Sequence, residues 1–217
     1  MLKTNRIKFY GEIALSKNGA VSTLNALQLT PASYISFLVL YRYYDRRYQA
    51  LFGNAFSQGS TVQNEQGVYM GFQLTPIARW KLSVYADLFR FPWLKYGIDA
   101  PSGGQEYMAQ IDYTPSRNYS AYLRYKYRQK EKNGTFENDN LLKINTCKQH
   151  RIRFQQVYNF SSPFIFKTSL DGILFDDPIK KLNKGIMISQ SIGWKPTTLP
   201  LQIDGYLAWF YTDDYNS

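Results

Sequence analysis

The chain has 217 residues and a net charge of +10, from 26 Lys and Arg residues against 16 Asp and Glu residues. Apolar residues make up 44% of it, and 19 Tyr and 14 Phe residues further exclude a disordered chain, which is poor in such residues. The single cysteine, Cys147, excludes a disulfide scaffold, and the longest apolar run, 206–211, is far shorter than the ~20 residues of a membrane-spanning helix.

Alternation between apolar and polar residues predicts eleven β-strands, with no helical pattern between them. In chain order, the predicted strands span 7–16, 20–30, 34–45, 66–75, 79–91, 105–114, 117–130, 149–161, 164–176, 185–195 and 200–212. Most are long enough to cross a bilayer as tilted strands, which need ~9–11 residues, whereas strands of soluble proteins have a mode of ~5–6. In the clearest case, Tyr119 and Leu123 lie on one face and Arg124 and Lys126 on the other.

The connections between these strands differ in length. Some connections are short turns, such as those at Thr75-Pro76 and Thr114-Pro115. Proline is typical of such turns, because it fixes φ and lacks the N–H that a strand centre needs. The other connections are mostly longer and polar: 46–66, 92–104, 131–148 and 177–184. Aromatic residues flank the short turns: Trp80, Tyr113, Tyr119, Phe160, Phe164 and Trp194. Short turns at one end, long loops at the other and aromatic residues at strand ends are typical of outer-membrane barrels.

The predicted fold is therefore all-β, an antiparallel up-and-down transmembrane β-barrel in a single domain, 1–217. Bacterial single-chain barrels have even strand numbers, so the odd count of eleven predicts a fragment of a larger barrel. The termini favour the same interpretation, because no signal-peptide pattern follows Met1 and the chain stops at Ser217 soon after a strand. The loops 46–66 and 131–148 are expected to fold into or over the mouth of the barrel.

Three segments carry a resemblance to a known family. They are Arg-Tyr-Tyr-Asp-Arg-Arg-Tyr-Gln-Ala-Leu-Phe-Gly-Asn-Ala-Phe-Ser over 42–57, Gln-Gly-Val-Tyr-Met-Gly-Phe over 66–72, and Ala-Asp-Leu-Phe-Arg-Phe-Pro-Trp-Leu-Lys-Tyr-Gly over 86–97. With them the chain resembles the outer-membrane barrel part of Bacteroides-group proteins in which an N-terminal helix-hairpin-helix segment, often labelled competence-like, precedes the barrel. The resemblance implies a barrel over the whole chain and brings no activity and no functional residues. The sequence has no helix-hairpin-helix pattern, so no DNA-related role is carried over.

The strongest candidate site is a set of five basic residues on two strands that we expect to pair: Arg124, Lys126, Arg128, Arg151 and Arg153. They should project from one face of the strands 117–130 and 149–161, which in a barrel faces the lumen. Basic residues that line a pore favour anions. The alternative is that lumen cations near the loops meet lipid phosphates, or that they pair with carboxylates of other strands: Glu12, Asp87, Glu106, Asp112 and Asp171.

Other candidate sites have weaker patterns. Four aspartates at strand ends are weak candidates for a Ca²⁺ site: Asp176, Asp177, Asp213 and Asp214. Their spacing lacks the alternation of a dedicated calcium loop, and solvated loop carboxylates are the alternative. His150 lies near Cys147, but two ligands do not make a zinc site. Without a Gly-x-Ser-x-Gly motif for a hydrolase on the barrel wall, we predict no enzyme activity, no catalytic residue, no metal and no cofactor.

These patterns predict an integral β-barrel of a Gram-negative outer membrane, with a polar, net-basic lumen and a structural or transport role for an unidentified, anionic solute. The expected partners are outer-membrane lipids, this solute and the barrel-assembly machinery, without nucleic acid. The alternative is a soluble β-sheet protein that binds nucleic acid or another polyanion, because 122–128 interleaves Tyr with Arg and Lys. A soluble protein would have to cover its apolar strand faces by packing two sheets together, since no helix is predicted.

Overall fold

The computed structural model of the chain is an all-β fold. It describes residues 2–3, 6–50, 55–136, 139–160, 163–178, 182–196 and 200–213. The strands in chain order are β1 (Leu2–Lys3), β2 (Ile7–Leu15), β3 (Val21–Ala32), β4 (Ile35–Tyr44), β5 (Glu65–Leu74), β6 (Trp80–Phe91), β7 (Ser102–Ser116), β8 (Tyr119–Phe136), β9 (Asp139–Asn159), β10 (Phe164–Asp176), β11 (Asn183–Trp194) and β12 (Ile203–Thr212). All eleven predicted strands are present as β2 to β12, and the two-residue β1 precedes them.

The strands form one sheet in sequence order, and each strand is antiparallel to the next. Short turns dictate this order, because a tight turn can join only antiparallel neighbours. The strands β1 and β12 are the two edges of the sheet and do not pair with each other, so the sheet is open. Within the described ranges there is no helix, and hence none long and apolar enough to span a membrane.

Alternation gives the sheet two different faces. The register of β6 with β7 places Asp87 opposite Glu106 on one face, which we call the polar face. The same register places Val84 opposite Ala109 on the other, which we call the apolar face. Large side chains of the apolar face stay exposed, and Leu123 retains 50% of its accessible surface. The whole chain exposes 14962 Å², well above the ~10,000 Å² of a compact monomer of 25.3 kDa.

The prediction of a long loop at 131–148 is wrong. In the described parts of this segment, 131–136 and 139–148, β8 and β9 continue as the paired strands of a hairpin, in which Lys130 pairs with Cys147 and Gly134 with Lys143. The charged residues of this segment are typical of a solvated loop, but a two-stranded ribbon satisfies its backbone N–H and C=O groups whatever its side chains are. The hairpin extends past the ends of β7 and β10, and its polar side chains are available to the loops beside it.

Segment 55–64 of the loop between β4 and β5 turns back onto the polar face. The hydroxyl of Tyr44 donates a hydrogen bond to the Phe56 carbonyl oxygen at 2.9 Å. The Phe56 ring meets the Tyr69 ring edge-on, with centroids 5.3 Å apart. This part of the loop therefore packs against the polar face; the fold of 46–66 into or over a barrel mouth stays a prediction, and 51–54 lie outside the described residues.

Candidate functional site on the polar face

The five predicted basic residues lie together on the polar face of β8 and β9, and we call them the basic cluster. Arg124 is directly opposite Arg153, and Lys126 is directly opposite Arg151. Arg128 lies on the same face, two residues beyond Lys126. Because like charges directly opposite each other destabilise a sheet, the cluster depends on compensating groups from the flanking strands.

Glu106 on β7 compensates one end of the basic cluster. It lies 2.9 Å from the Nζ atom of Lys126 and 3.0 Å from the Nε atom of Arg128. Its side chain is 5% exposed, while those two cations are 35% and 36% exposed. The Tyr85 hydroxyl also donates to Glu106 at 2.7 Å. The carboxylate is therefore buried beneath cations that still reach the open side of the polar face.

Asp171 on β10 compensates the other end. Its Oδ1 atom lies 2.6 Å from Arg153 Nε and 3.2 Å from Arg151 Nη2. Arg124 instead donates from Nε to the amide oxygen of Gln110 at 2.7 Å. The predicted alternative of pairing with carboxylates thus holds for Glu106 and Asp171. Five cations against these two carboxylates still leave a net charge of +3 on this part of the sheet.

The other three carboxylates of that alternative have different surroundings. Asp112 accepts a hydrogen bond from the Gln110 amide at 2.6 Å. Glu12 lines a cavity of about 650 Å³ on the polar face of β2 to β7. Asp87 belongs to a buried group of charges on β4, β5 and β6.

That group, which we call the buried triad, consists of Arg42, Glu65 and Asp87. Arg42 Nε lies 2.6 Å from Glu65 Oε1, and Arg42 Nη1 lies 2.7 Å from Asp87 Oδ1. The exposed fractions of the three side chains are 0%, 0% and 1%. Charges buried this completely persist only when each has a partner, and the planar guanidinium donates from Nε to Glu65 and from both Nη atoms to Asp87.

The buried triad also holds the loop between β4 and β5 against the polar face. The backbone N–H groups of Gln58 and Gly59 donate to the Glu65 carboxylate at 2.9 Å. The Gln58 amide donates to Asp87 at 2.8 Å and accepts from Arg128 Nη2 at 2.7 Å. One loop residue therefore links the buried triad to the basic cluster.

Gly67 makes room for the buried triad. It lies opposite Arg42 in the register of β4 and β5. A Cβ atom at this position would lie 2.5 Å from Arg42 Cζ, closer than any unstrained contact. The glycine is needed here because the guanidinium crosses directly over its backbone.

The variant Gly67→Ala is expected to lower the free energy of unfolding by about 1–3 kcal/mol, the usual cost of overpacking a filled site. Gly172→Ala is the matched control, since a Cβ atom on Gly172 would meet nothing within 4 Å. That control should change stability by less than about 0.5 kcal/mol. Denaturant titration of both variants checks the expectation, and equal losses would show that the guanidinium does not constrain position 67.

Further contacts join the long loops at this end of the sheet. The Asn64 amide donates to the Trp93 carbonyl oxygen at 2.8 Å and accepts from the Trp93 N–H at 2.9 Å. The Asn133 amide of the β8–β9 hairpin donates to Asp99 at 2.8 Å. In the loop between β6 and β7, burial lowers the pKa of Lys95, whose Nζ atom lies 3.4 Å from the centroid of the Phe91 ring. The loops and the hairpin thus form one connected layer.

The weaker candidates are not brought together. Asp177 pairs with Lys132 Nζ at 2.5 Å, and the Asp213 carboxylate accepts the Lys184 N–H at 3.3 Å. Asp214 lies outside the described residues. Among the described side chains, no three His, Cys, Asp or Glu residues form a group that could hold a metal ion.

Sequence reasoning missed the buried triad, although its members or neighbours lie in the three family-like segments. Arg42 and Phe56 belong to 42–57, Gly67 to 66–72 and Asp87 to 86–97, and the structure brings all four to one place. Arg42 is the charged residue on its face of β4, where it follows Leu38 and Leu40, and this was the available signal. Its partner Glu65 could not be identified, because it lies just before the predicted strand.

Comparisons with known proteins place the chain in no family. No family model matches it, and searches of curated proteins and of solved structures also find no match.

Proposed function

We propose that the chain forms the wall of a β-barrel in the outer membrane of a Gram-negative bacterium, with a structural or transport role for an anionic solute. In this proposal the apolar face meets lipid and the polar face lines the lumen. The barrel would be that of the Bacteroides-group proteins that 42–57, 66–72 and 86–97 resemble.

The observation that carries this proposal is the exposed apolar face, which continues over all long strands. One large exposed side chain from each strand, β2 to β12, shows this: Ile13, Leu27, Val39, Met70, Leu88, Ile111, Leu123, Ile152, Leu170, Ile188 and Leu207. Among the described residues, strands contact only their neighbours in the sheet, so no second layer covers these side chains. A continuous apolar surface of this extent needs a nonaqueous environment, and lipid supplies one.

Aromatic side chains bound the apolar face at both ends. Near the short turns, the rings of Trp80 and Tyr113 lie 4.4 Å apart. Towards the long loops, the rings of Tyr127 and His150 lie 5.0 Å apart. On β8, the nine residues from Tyr119 to Tyr127 are separated by eight steps, which correspond to ~26 Å along the strand. At the ~40° tilt of outer-membrane strands this length corresponds to ~20 Å along the membrane normal, which is comparable with the ~25 Å apolar band of such barrels.

The soluble alternative would require the apolar face to be covered by a second sheet. All described strands instead belong to one sheet in which only consecutive strands meet. The large accessible area likewise favours an environment other than water over a compact soluble sandwich.

The test is to fold the purified protein with and without detergent micelles. We expect β-type circular dichroism only with detergent, and a band that migrates faster on a gel before boiling than after. A monomer that folds without detergent and migrates identically in both lanes would overturn the proposal. Salt-dependent binding to single-stranded nucleic acid would then test the alternative.

Transport is tested on the same protein in planar bilayers. A pore lined by the basic cluster should prefer anions, and the double variant Arg151→Gln, Arg153→Gln should lower that preference. Arg90→Gln is the matched control, because Arg90 lies on the apolar face, where it bonds to Gln66. Conductance without any anion preference would remove the anionic solute, and no conductance would leave only the structural role.

A further inference from the structure

A second region of the polar face, across β9 to β12, forms a cleft of about 260 Å³. Its lining includes Arg153, Lys167, Ser169, Asp171, Ser189 and Tyr206. The volume is below the ~300–1,000 Å³ of pockets for drug-sized ligands, so it suits a ligand of monosaccharide size.

Small hydroxyl side chains create this cleft. Ser169 on β10 and Ser189 on β11 are directly opposite each other in the register, and both are more than nine-tenths buried. Larger side chains flank the two serines, namely Arg153 on β9 and Tyr206 on β12. The serines therefore form the floor of the cleft and offer hydroxyl groups that can both donate and accept hydrogen bonds.

The cleft is lined by side chains of both charges, two cations and one carboxylate. Asp171 fixes Arg153 through its Nε atom at 2.6 Å, and this leaves the arginine side chain 30% exposed. Lys167 is exposed on the same face, opposite Ser191 in the register. The side of the cleft with these two cations can bind an anionic group, and charge-assisted hydrogen bonds are the stronger kind.

Tyr206 supplies a different kind of contact. It lies on the polar face of the edge strand β12, whose residues 203–211 are all exposed, and its side chain is 68% exposed beside the serine floor. An exposed aromatic ring beside hydroxyl groups and a cation is a combination that binds sugars, because C–H groups of a sugar ring pack on the aromatic face while its hydroxyls bond to the polar groups.

We propose that this cleft binds a monosaccharide acid, with its carboxylate at Arg153 and Lys167, its hydroxyls at Ser169 and Ser189, and its ring on Tyr206. The inference rests on the proposed function, since it specifies the class of anionic solute. A simple anion would use only the cations, and a neutral sugar only the serines and the tyrosine.

The test measures dissociation constants by saturation-transfer NMR on the detergent-folded protein, with galacturonate, galactose, acetate and inorganic phosphate as probes. Galacturonate is expected to bind at least about tenfold more tightly than the other three, because galactose lacks the contacts with the cations, and acetate and phosphate lack those with the serines and the tyrosine. If acetate, phosphate or galactose bound as tightly as galacturonate, the inference would be overturned.

Three variants locate the site. Ser189→Leu should fill the cleft, and Lys167→Met should remove one cation, each weakening galacturonate binding by about tenfold or more. Ser83→Leu is the matched control, because Ser83 lies on the polar face of β6, outside this cleft. Unchanged binding in both cleft variants would overturn the inference. Failure of the proposed function appears in a separate measurement, the detergent dependence of folding.

Discussion

Replacing the arginine of the buried triad by methionine (Arg42→Met) is expected to lower the free energy of unfolding by about 3–5 kcal/mol, because it leaves two buried carboxylates without a counterion. Glu65 and Asp87 lie 2.6 and 2.7 Å from the guanidinium, and neither is more than 1% exposed. Methionine fills much of the same space, so the loss reflects charge more than a cavity. Denaturant titration in detergent micelles measures it.

Arg90→Met is the matched control for this prediction. Arg90 is also an arginine of a central strand, but it is exposed and donates only to the Gln66 amide oxygen, at 2.7 and 2.9 Å. Its replacement should lower stability by less than about 1 kcal/mol, as exposed polar contacts usually do. Similar losses in the two variants would contradict the assignment of Arg42 as the buried counterion.

The Arg42→Met substitution should also release the loop between β4 and β5. Glu65 holds the N–H groups of Gln58 and Gly59, and Asp87 holds the Gln58 amide. Without Arg42 these carboxylates favour water, and the loop that they hold should become a site of proteolytic cleavage within 55–64. The Arg90→Met variant should keep the wild-type cleavage pattern.

The sequence predicted the sheet well, because each strand of an up-and-down order depends on local signals. Alternation over Tyr119 to Gln129 indicates which residues share a face, and turns such as Thr75-Pro76 indicate where strands reverse, whereas Thr114-Pro115 lies just before its turn, within the end of β7. The joint position of Arg124 and Arg153 follows from these two signals alone, once neighbouring strands are paired.

The extension of the β8–β9 hairpin could not be predicted in the same way. Polarity at Lys130, Glu131 and Lys132 is compatible with a loop or with a ribbon that is exposed on both faces. In the structure, Lys130 donates to the Gln58 carbonyl oxygen at 3.1 Å and Lys132 pairs with Asp177. Those partners are distant in the chain, and no local pattern indicates them.

The buried triad was missed for a related reason. Its three members come from three strands, and the contact between Arg42 and Asp87 spans 45 residues. Alternation placed Asp87 on the polar face, but the burial of that position depends on a loop that folds over it. Burial by a returning loop is a tertiary effect, so a prediction from strand periodicity alone treats such residues as solvated.

When arginine replaces residues along the apolar face of β6, the loss of unfolding free energy is expected to depend on the depth of the position in the membrane. Val84→Arg, near the middle of the face between Trp80 and Leu88, should lower the free energy of unfolding in lipid vesicles by about 2–4 kcal/mol. Leu88→Arg, near the long loops, should lower it by only about 0–1 kcal/mol, because its charge can reach the interface. Denaturant titration of the protein folded into vesicles measures both losses.

Ser83→Arg is the control for this series, since Ser83 is next to Val84 in sequence but lies on the polar face. In the proposed barrel an arginine there would face water in the lumen, so its cost should remain below that of Val84→Arg. A soluble sheet gives a different result, because its charge penalty follows burial by protein and not the distance from the strand centre. Equal losses at positions 84 and 88, or a greater loss at 83, would therefore contradict the assignment of lipid to the apolar face.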